Sequence, residues 1–229
     1  MAPSLFHDSL NSCQALNPSN ILAHRANLRG PDSGNQNSMR AFTAISQVGF
    51  GLETDFRDAT GALVISHDPA THSAIPAPDF FGVWSNANSN APLAINVKSD
   101  GLWPLLKPLL SQNSIVNYFC FDMSTPETLA YRRASLRYFT RESEYEQHPV
   151  CYEDAAGVWM DMFHSDWITP DHVARHIDAG KHVAIVSPDL HRRPHEPFWI
   201  RLRETGAMLF PNVMLCTDYP LDANAFFYA

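Results

Sequence analysis

The sequence predicts an α/β fold: a single (β/α)8 barrel of the TIM type, with an extra β-hairpin strand after strand 2 and one or more helices shortened or missing. Three observations carry this expectation. Eight short, continuous apolar runs read as strands covered on both faces. Segments with apolar residues three and four apart lie between them, as helices packed on one side require. Polar and charged residues gather where the runs end, on the rim that carries the chemistry of such barrels.

Taken in order, the strand-like runs are Ile21 to Arg25, Gly51 to Phe56, Leu93 to Lys98, Val116 to Asp122, Leu136 to Arg141, Val158 to Asp161, His182 to Ser187 and Val213 to Asp218. Leu63 to His67 forms the extra strand, returned from the second by a turn at Ala59-Thr60-Gly61, where glycine supplies the backbone freedom a tight turn needs. Helical periodicity covers Ser38 to Val48, Trp103 to Gln112, Pro126 to Ala134, Pro170 to Ala179 and Phe198 to Thr205. Ser124 and Thr169 precede Pro126-Glu127 and Pro170-Asp171 as starts, and Gly180 and Gly206 follow as stops. Strand and helix in alternation imply a parallel sheet, and eight such units suggest closure. The segment Pro69 to Pro92, rich in proline, serine and asparagine, has at best one short helix and replaces the helix expected after the second strand. It is expected to act as a lid or specificity loop over the rim, using Phe80, Phe81 or Trp84. Trp84, Trp159, Trp167 and Trp199 otherwise read as packing residues.

The 229 residues suit one domain, 1–229. With 16 basic and 24 acidic residues the formal charge is −8, and the one local basic cluster is His191-Arg192-Arg193. That balance argues against a nucleic-acid partner, which calls for a basic face. The first twenty residues have neither a basic start nor an uninterrupted apolar stretch, and no apolar run reaches membrane-spanning length, so a cytoplasmic protein without a membrane span is expected. Cys13, Cys120, Cys151 and Cys216 form no C-x-x-C pair. Cys120 and Cys216 fall inside apolar runs, as small buried hydrophobes do.

At the strand ends, His24-Arg25, Glu53-Thr54-Asp55 and His67-Asp68 form one constellation. Glu53 and Asp55 are two apart and project from the same face of a strand. Two carboxylates held together repel unless a cation is shared between them. A hard divalent ion, magnesium or calcium with manganese as a further choice, suits such oxygen ligands. His24 and His67 can then stand on opposite sides of a phosphorus atom, one taking a proton and the other giving one. Arg25 and Lys98 would face the phosphoryl oxygens, where negative charge grows. The same carboxylates could instead form a structural network with Arg25, Arg57 or Lys98.

The stretch from Leu22 to Asp68, with AHRANLRG and then NQNSMRAFTAISQVGFGLETDFRDATGALVISHD, resembles the glycerophosphodiester phosphodiesterase family. Its pattern runs His-Arg, Pro-Glu-Asn, Glu-x-Asp, a glycine turn and His-Asp. LCTDYP, Leu215 to Pro220, resembles the end of that family's last barrel strand. The chain thus looks like a divergent member of that family, within the phosphatidylinositol phospholipase C-like phosphodiesterase superfamily. The resemblance implies His24 and His67 as the acid–base pair, Arg25 as a phosphate contact, Glu53 and Asp55 as metal ligands, and Lys98 as the lysine after the third strand. The implied substrate is a small polyol- or sugar-linked phosphodiester.

Two positions depart from the pattern. Asn35-Gln36-Asn37 stands where the family has Pro-Glu-Asn, and Asn96-Val97-Lys98 where it has Glu-x-Lys. Each change removes a negative charge and keeps a side-chain oxygen, so Asn96 remains a candidate ligand. Asp122 or the substrate's phosphate would make up the lost charge. Arg141, His191 and Arg192 are further candidates for the anionic headgroup, the last two equally consistent with a solvated loop. Asp161, Ser187 and Asp218 fit a site and an ordinary strand end alike. Asp68 reads as a turn cap. The lost acids also suit an alternative: a non-catalytic or attenuated barrel that binds phosphorylated ligands.

Overall fold

A computed structural model describes residues 18–86 and 90–228. Cys13, the reading of the first residues and part of the segment 69–92 lie outside them. In chain order the elements are β1 (Ile21–His24), α1 (Met39–Val48), β2 (Gly51–Ala59), β3 (Ala62–Ile65), β4 (Ile75–Pro76), α2 (Ala77–Asn86), β5 (Leu93–Val97), α3 (Trp103–Gln112), β6 (Tyr118–Phe121), α4 (Thr125–Arg133), β7 (Phe139–Glu142), β8 (Gly157–Met160), α5 (Pro170–Asp178), β9 (His182–Val186), α6 (Glu196–Glu204), β10 (Val213–Thr217) and α7 (Pro220–Tyr228). β1 pairs in parallel with both β2 and β10, so the first and last strands meet. Parallel ladders continue from β2 to β5 and β6, and from β10 through β9 and β8 to β7. Between β6 and β7 the ladder thins to an isolated bridge, Cys120 with Tyr138, where the Cys120 N–H donates to Arg137 O at 3.0 Å. These eight strands are the expected barrel. β2 runs on past it into a hairpin with β3, turning at Thr60 and Gly61, both left-handed with φ of 48° and 84°.

The strand period of two sorts side chains into two cores. Inside the barrel lie Leu22, Ala94, Phe119, Phe121, Phe139, Trp159, Ala184, Val186, Met214 and Cys216. Phe119 stacks on Phe139 and Phe121 on Trp159, with ring centroids 3.7 and 3.9 Å apart. The alternate residues, among them Ile21, Ala23, Leu52, Ile95, Val158 and Ile185, face the helices in the outer core. Two glycines make the inner packing possible. A β-carbon on Gly51 would meet Leu22 at 2.5 Å, and one on Gly157 would meet the Phe139 ring at 2.5 Å and the His182 carbonyl oxygen at 2.6 Å. Gly157→Ala is therefore expected to destabilise the barrel by about 1–3 kcal/mol, the usual range for overpacking. Urea denaturation with an unchanged midpoint would remove that account.

The two expected caps form, Ser124 and Thr169 each accepting a backbone N–H in the first turn of α4 and α5, and Ser38 caps α1 in the same way. Two expectations about helices are corrected. The segment after the second strand, expected to hold at best one short helix, carries the ten-residue α2, and the proposed lid aromatics belong to the outer core. Phe80 and Phe81 are fully buried and Trp84 nearly so, against Phe42 and Phe56. The physical reason is visible in the sequence, since Ala77, Phe80, Phe81 and Trp84 fall at i, i+3, i+4 and i+7. The absent helix lies instead between β7 and β8, where residues 143–156 are turns. α7 is a further helix beyond those expected. Trp159 and Trp199 are buried and Trp167 partly so, as packing residues should be. Among the described residues no helix is long and apolar enough to cross a membrane.

Candidate active site

The inner files of the barrel end in polar residues at its carboxyl rim. Following Leu22 by two is His24; beyond Gly51 come Glu53 and Asp55; Ala94 leads to Asn96, Phe139 to Arg141, Trp159 to Asp161 and Cys216 to Asp218. The register places Asp55 beside Asn96 and Glu53 beside His24 on neighbouring strands.

After His24 the chain turns sharply. Arg25 and Ala26 both adopt left-handed backbone conformations, with φ of 50° and 61°, at a cost of order 1 kcal/mol or more each. The turn aims the Arg25 N–H at Glu53 Oε2, 3.1 Å away, and brings the Arg25 Nε to 3.2 Å from Asp55 Oδ2. Asp55 also accepts from Asn37 Nδ2 at 2.8 Å and faces Lys98 Nζ at 3.2 Å. Asn37, itself left-handed, is held by the Thr54 hydroxyl, which donates to its Oδ1 at 2.7 Å. His24 Nδ1 lies 2.7 Å from Asp218 Oδ1, an oxygen that also accepts from Asn27 Nδ2 at 2.7 Å. Its other nitrogen, Nε2, looks across to Glu53 Oε2 at 3.9 Å.

These contacts split the two neighbouring carboxylates. Burial, followed by the Asp55 charge, pushes Glu53 above the ordinary glutamate value. Burial pushes Asp55 the same way, but Lys98, Arg25 and the Asn37 hydrogen bond outweigh it and hold Asp55 below its ordinary value. Burial alone would lower the pKa of His24. The Asp218 hydrogen bond, with the Glu53 and Asp218 charges, reverses that and raises it. Asp218 correspondingly sits low, its burial outweighed by His24.

The structure thus gathers His24, Arg25, Glu53, Asp55, Asn96 and Lys98. His67 stands beside this group rather than in it. Its side chain is 44% exposed and its Nδ1 meets Asp68 Oδ1 at 2.9 Å, with Asp68 itself nearly free in solvent. Its field still reaches Asp55. Asp122, turned by a left-handed backbone (φ 66°), pairs through Oδ1 with Arg141 Nη1 at 3.0 Å. Arg141 is shared with Glu146. His191 pairs through Nε2 with Asp161 at 2.6 Å. Arg192 is exposed and closes the 3-10 turn Pro188–His191. Ser187 is structural, accepting the Trp199 indole N–H at 2.9 Å. Sequence reasoning left Asn37, Asn27 and Thr54 out of the site and weighed Asp218 evenly. Asn37 and Asp218 stand in the very motifs that carry the resemblance.

The donor set can be tested against a divalent cation. Asn96 Oδ1 is buried and accepts no hydrogen bond among the described residues, and Asp55 Oδ1 is likewise without a donor apart from the Lys98 ion pair. These oxygens come from register partners, with the Glu53 carboxylate two residues along β2. A donor-free amide oxygen beside two buried carboxylates on a neighbouring strand fits a hard cation. No three His, Cys, Asp or Glu side chains converge as a metal group among the described residues, so a cation held here would need the neutral oxygen of Asn96 beside the carboxylates.

No protein-family model matches the sequence and no curated protein matches it. Solved structures do resemble it. A Galdieria sulphuraria protein assigned as a glycerophosphodiester phosphodiesterase superposes with a TM-score of 0.72 at 19% identity, over 95% of this chain and 100% of that one. An Oleispira antarctica phosphodiesterase, solved with its product sn-glycerol-3-phosphate, gives 0.67 at 16% over 91% and 96%. The glycerophosphodiester phosphodiesterase of Agrobacterium tumefaciens gives 0.61 at 16% over 91% and 99%. The class that the architecture defines is the (β/α)8 barrel. More narrowly, the chain has the fold of the glycerophosphodiester phosphodiesterases.

Proposed function

We propose that the protein is a metal-assisted phosphodiesterase acting on a small polyol- or sugar-linked phosphodiester of the glycerophosphodiester kind. The observation that carries this is the His24–Asp218 pair on the same rim as the Asp55 carboxylate, which Arg25 and Lys98 flank, and as Asn96, whose buried oxygen accepts no hydrogen bond among the described residues. With Asp218 on Nδ1, His24 presents Nε2 to the mouth, where it can take a proton from an attacking hydroxyl or return one to a leaving oxygen. His67, on the hairpin beyond Asp55, is the partner for the opposite transfer. Arg25 and Lys98 offset the charge that develops on the phosphoryl oxygens. Glu53, Asp55 and Asn96 would hold the cation, which when bound supplies further positive charge to the phosphate. Magnesium and calcium are the ions this oxygen set favours.

The test is hydrolysis of bis(p-nitrophenyl) phosphate and glycerophosphodiesters by metal-stripped protein supplied with magnesium, calcium or manganese, beside Asp55→Asn. Turnover is expected to return with the metal and to fall about 100-fold or more in the variant. Asn96 and Gln36 support a second reading, a binder whose metal site has lost acids. Metal-dependent binding of glycerol 3-phosphate without turnover of any diester would favour it.

A further inference from the structure

The His24–Asp218 pair stands on a further carboxylate that the chemistry above leaves unused. Asp189, on the 3-10 turn Pro188–His191 after β9, is 7% exposed. Its Oδ2 accepts the Asp218 backbone N–H at 2.8 Å. The Thr217 hydroxyl donates between its two oxygens, at 3.1 Å to Oδ1 and 3.0 Å to Oδ2, and accepts the Tyr219 N–H at 3.0 Å. One buried carboxylate thereby gathers Thr217, Asp218 and Tyr219, the residues by which the chain passes from β10 towards α7.

Asp218 is held at each of its polar groups. Its carbonyl oxygen accepts the Gly30 N–H at 2.8 Å, and its carboxylate meets His24 Nδ1 and Asn27 Nδ2 at 2.7 Å each. His24, Asn27 and Gly30 all belong to the end of β1 and the loop that follows it. Those contacts alone would let this loop and Asp218 shift together. The bond from Asp189 comes from a different element and refers Asp218 to β9. There the Ser187 N–H donates to Cys216 O at 2.9 Å, and the turn closes as the Arg192 N–H donates to Asp189 O at 2.9 Å. Fixing the Asp218 N–H fixes the peptide plane from which its side chain leaves, and the imidazole follows the carboxylate.

Burial drives the Asp189 carboxyl above its ordinary value and the Asp218 charge adds to this, against the hydrogen bonds from Ser187 and the Asp218 N–H. Packing alone gives no reason to set a second carboxylate there. Direction does, because a hydrogen bond to a carboxylate is roughly twice as strong as one to a neutral acceptor.

We propose that Asp189 is a positioning residue: through the Asp218 N–H and the Thr217 hydroxyl it fixes the direction of the Asp218 carboxylate and so holds the His24 ring with Nε2 towards the reacting phosphate. The inference rests on the phosphodiesterase reading. It makes the turn after β9 part of the machinery without bringing any of its side chains to the substrate.

The experiment measures kcat and KM on bis(p-nitrophenyl) phosphate and glycerophosphodiesters for the metal-loaded wild type, Asp189→Ala, Asp189→Asn and Thr217→Val. It also follows the His24 Nδ1–H proton signal by NMR, which reports the bond to Asp218 and needs no turnover. Asp189→Ala is expected to lower kcat about 10–100-fold, the usual effect of removing an outer partner of a functional group, with KM unchanged and the signal lost or moved upfield. Asp189→Asn keeps an acceptor for the Asp218 N–H and is expected to recover most of both. Thr217→Val, of nearly the same shape, should move both readouts the same way by less, and it decides the matter if Asp189→Ala does not fold. An unmoved signal in the variants, whatever their turnover, would overturn the tether, and so would Asp189→Asn as impaired as Asp189→Ala. No wild-type turnover, with the signal still displaced in the variants, would remove the phosphodiesterase reading and keep the tether. Neither turnover nor displacement would end both.

Discussion

His24→Ala is expected to lower phosphodiester turnover about 10²–10⁴-fold, the range for loss of a positioned acid–base group, with the far-ultraviolet circular dichroism unchanged. Asp218→Asn separates orientation from presence. The amide still reaches His24 but carries no charge, so the His24 pKa, now raised chiefly by Asp218 against burial, should drop. The acid limb of the pH–rate profile and the His24 NMR titration should move down together. A variant with wild-type turnover and an unmoved titration would strike Asp218 from the site. Because the folded value of His24 lies above its ordinary one, the pair also stabilises the fold at low pH. That contribution is complete below the ordinary histidine value and fades as pH rises through the raised one.

The second large effect concerns stability. Glu142, the outward neighbour of Arg141 on β7, is buried against His176 Nε2 at 2.7 Å and also engages Arg175. His176 Nδ1 in turn meets the Tyr152 hydroxyl at 2.9 Å. Removing one member of a buried pair strands the other, so Glu142→Ala is expected to cost about 3 kcal/mol, the low end of the range because Arg175 is half exposed. Burial pushes this carboxyl up, but the His176 and Arg175 hydrogen bonds outweigh it and leave the value lowered from 4.5. The stabilisation is therefore complete above the ordinary glutamate value and is lost as pH falls through the lowered one. Urea titrations at pH 7 and pH 3 check this, since the gap between wild type and variant should narrow in acid. A gap of equal size at both would show that packing, not charge, had been removed.

The barrel strands were legible because each is a continuous apolar run, the form that burial on both faces imposes. The rim was legible where a motif marked it, at His24-Arg25, Glu53-Thr54-Asp55 and Lys98. What escaped had local reasons. α2 follows Pro76, carries Pro78 in its first turn and runs into a polar tract, so its loop-like composition masked a regular aromatic stripe. Asp122 ends an apolar run like a metal ligand, and its left-handed backbone also brings it to Arg141, a pairing that no linear pattern states. His191 sits in a basic triplet that suggests anion binding, whereas its partner, Asp161, lies 30 residues away in sequence. Asp218 lies within its motif, but its meeting with His24 depends on the last strand returning to the first.

The turns between β7 and β8 bear on how such a chain diversifies. Where a helix covers a strand, any change of length must be repacked. Here side chains hold the covering segment by its backbone instead, Tyr138 reaching Cys151 O at 3.0 Å and Thr140 reaching Val150 O at 2.5 Å. Residues can be added or lost between those two moorings and the rim without disturbing either hydrophobic core. The sector of the wall that carries Tyr145 is thus the one where new specificities can be tried at least risk to folding.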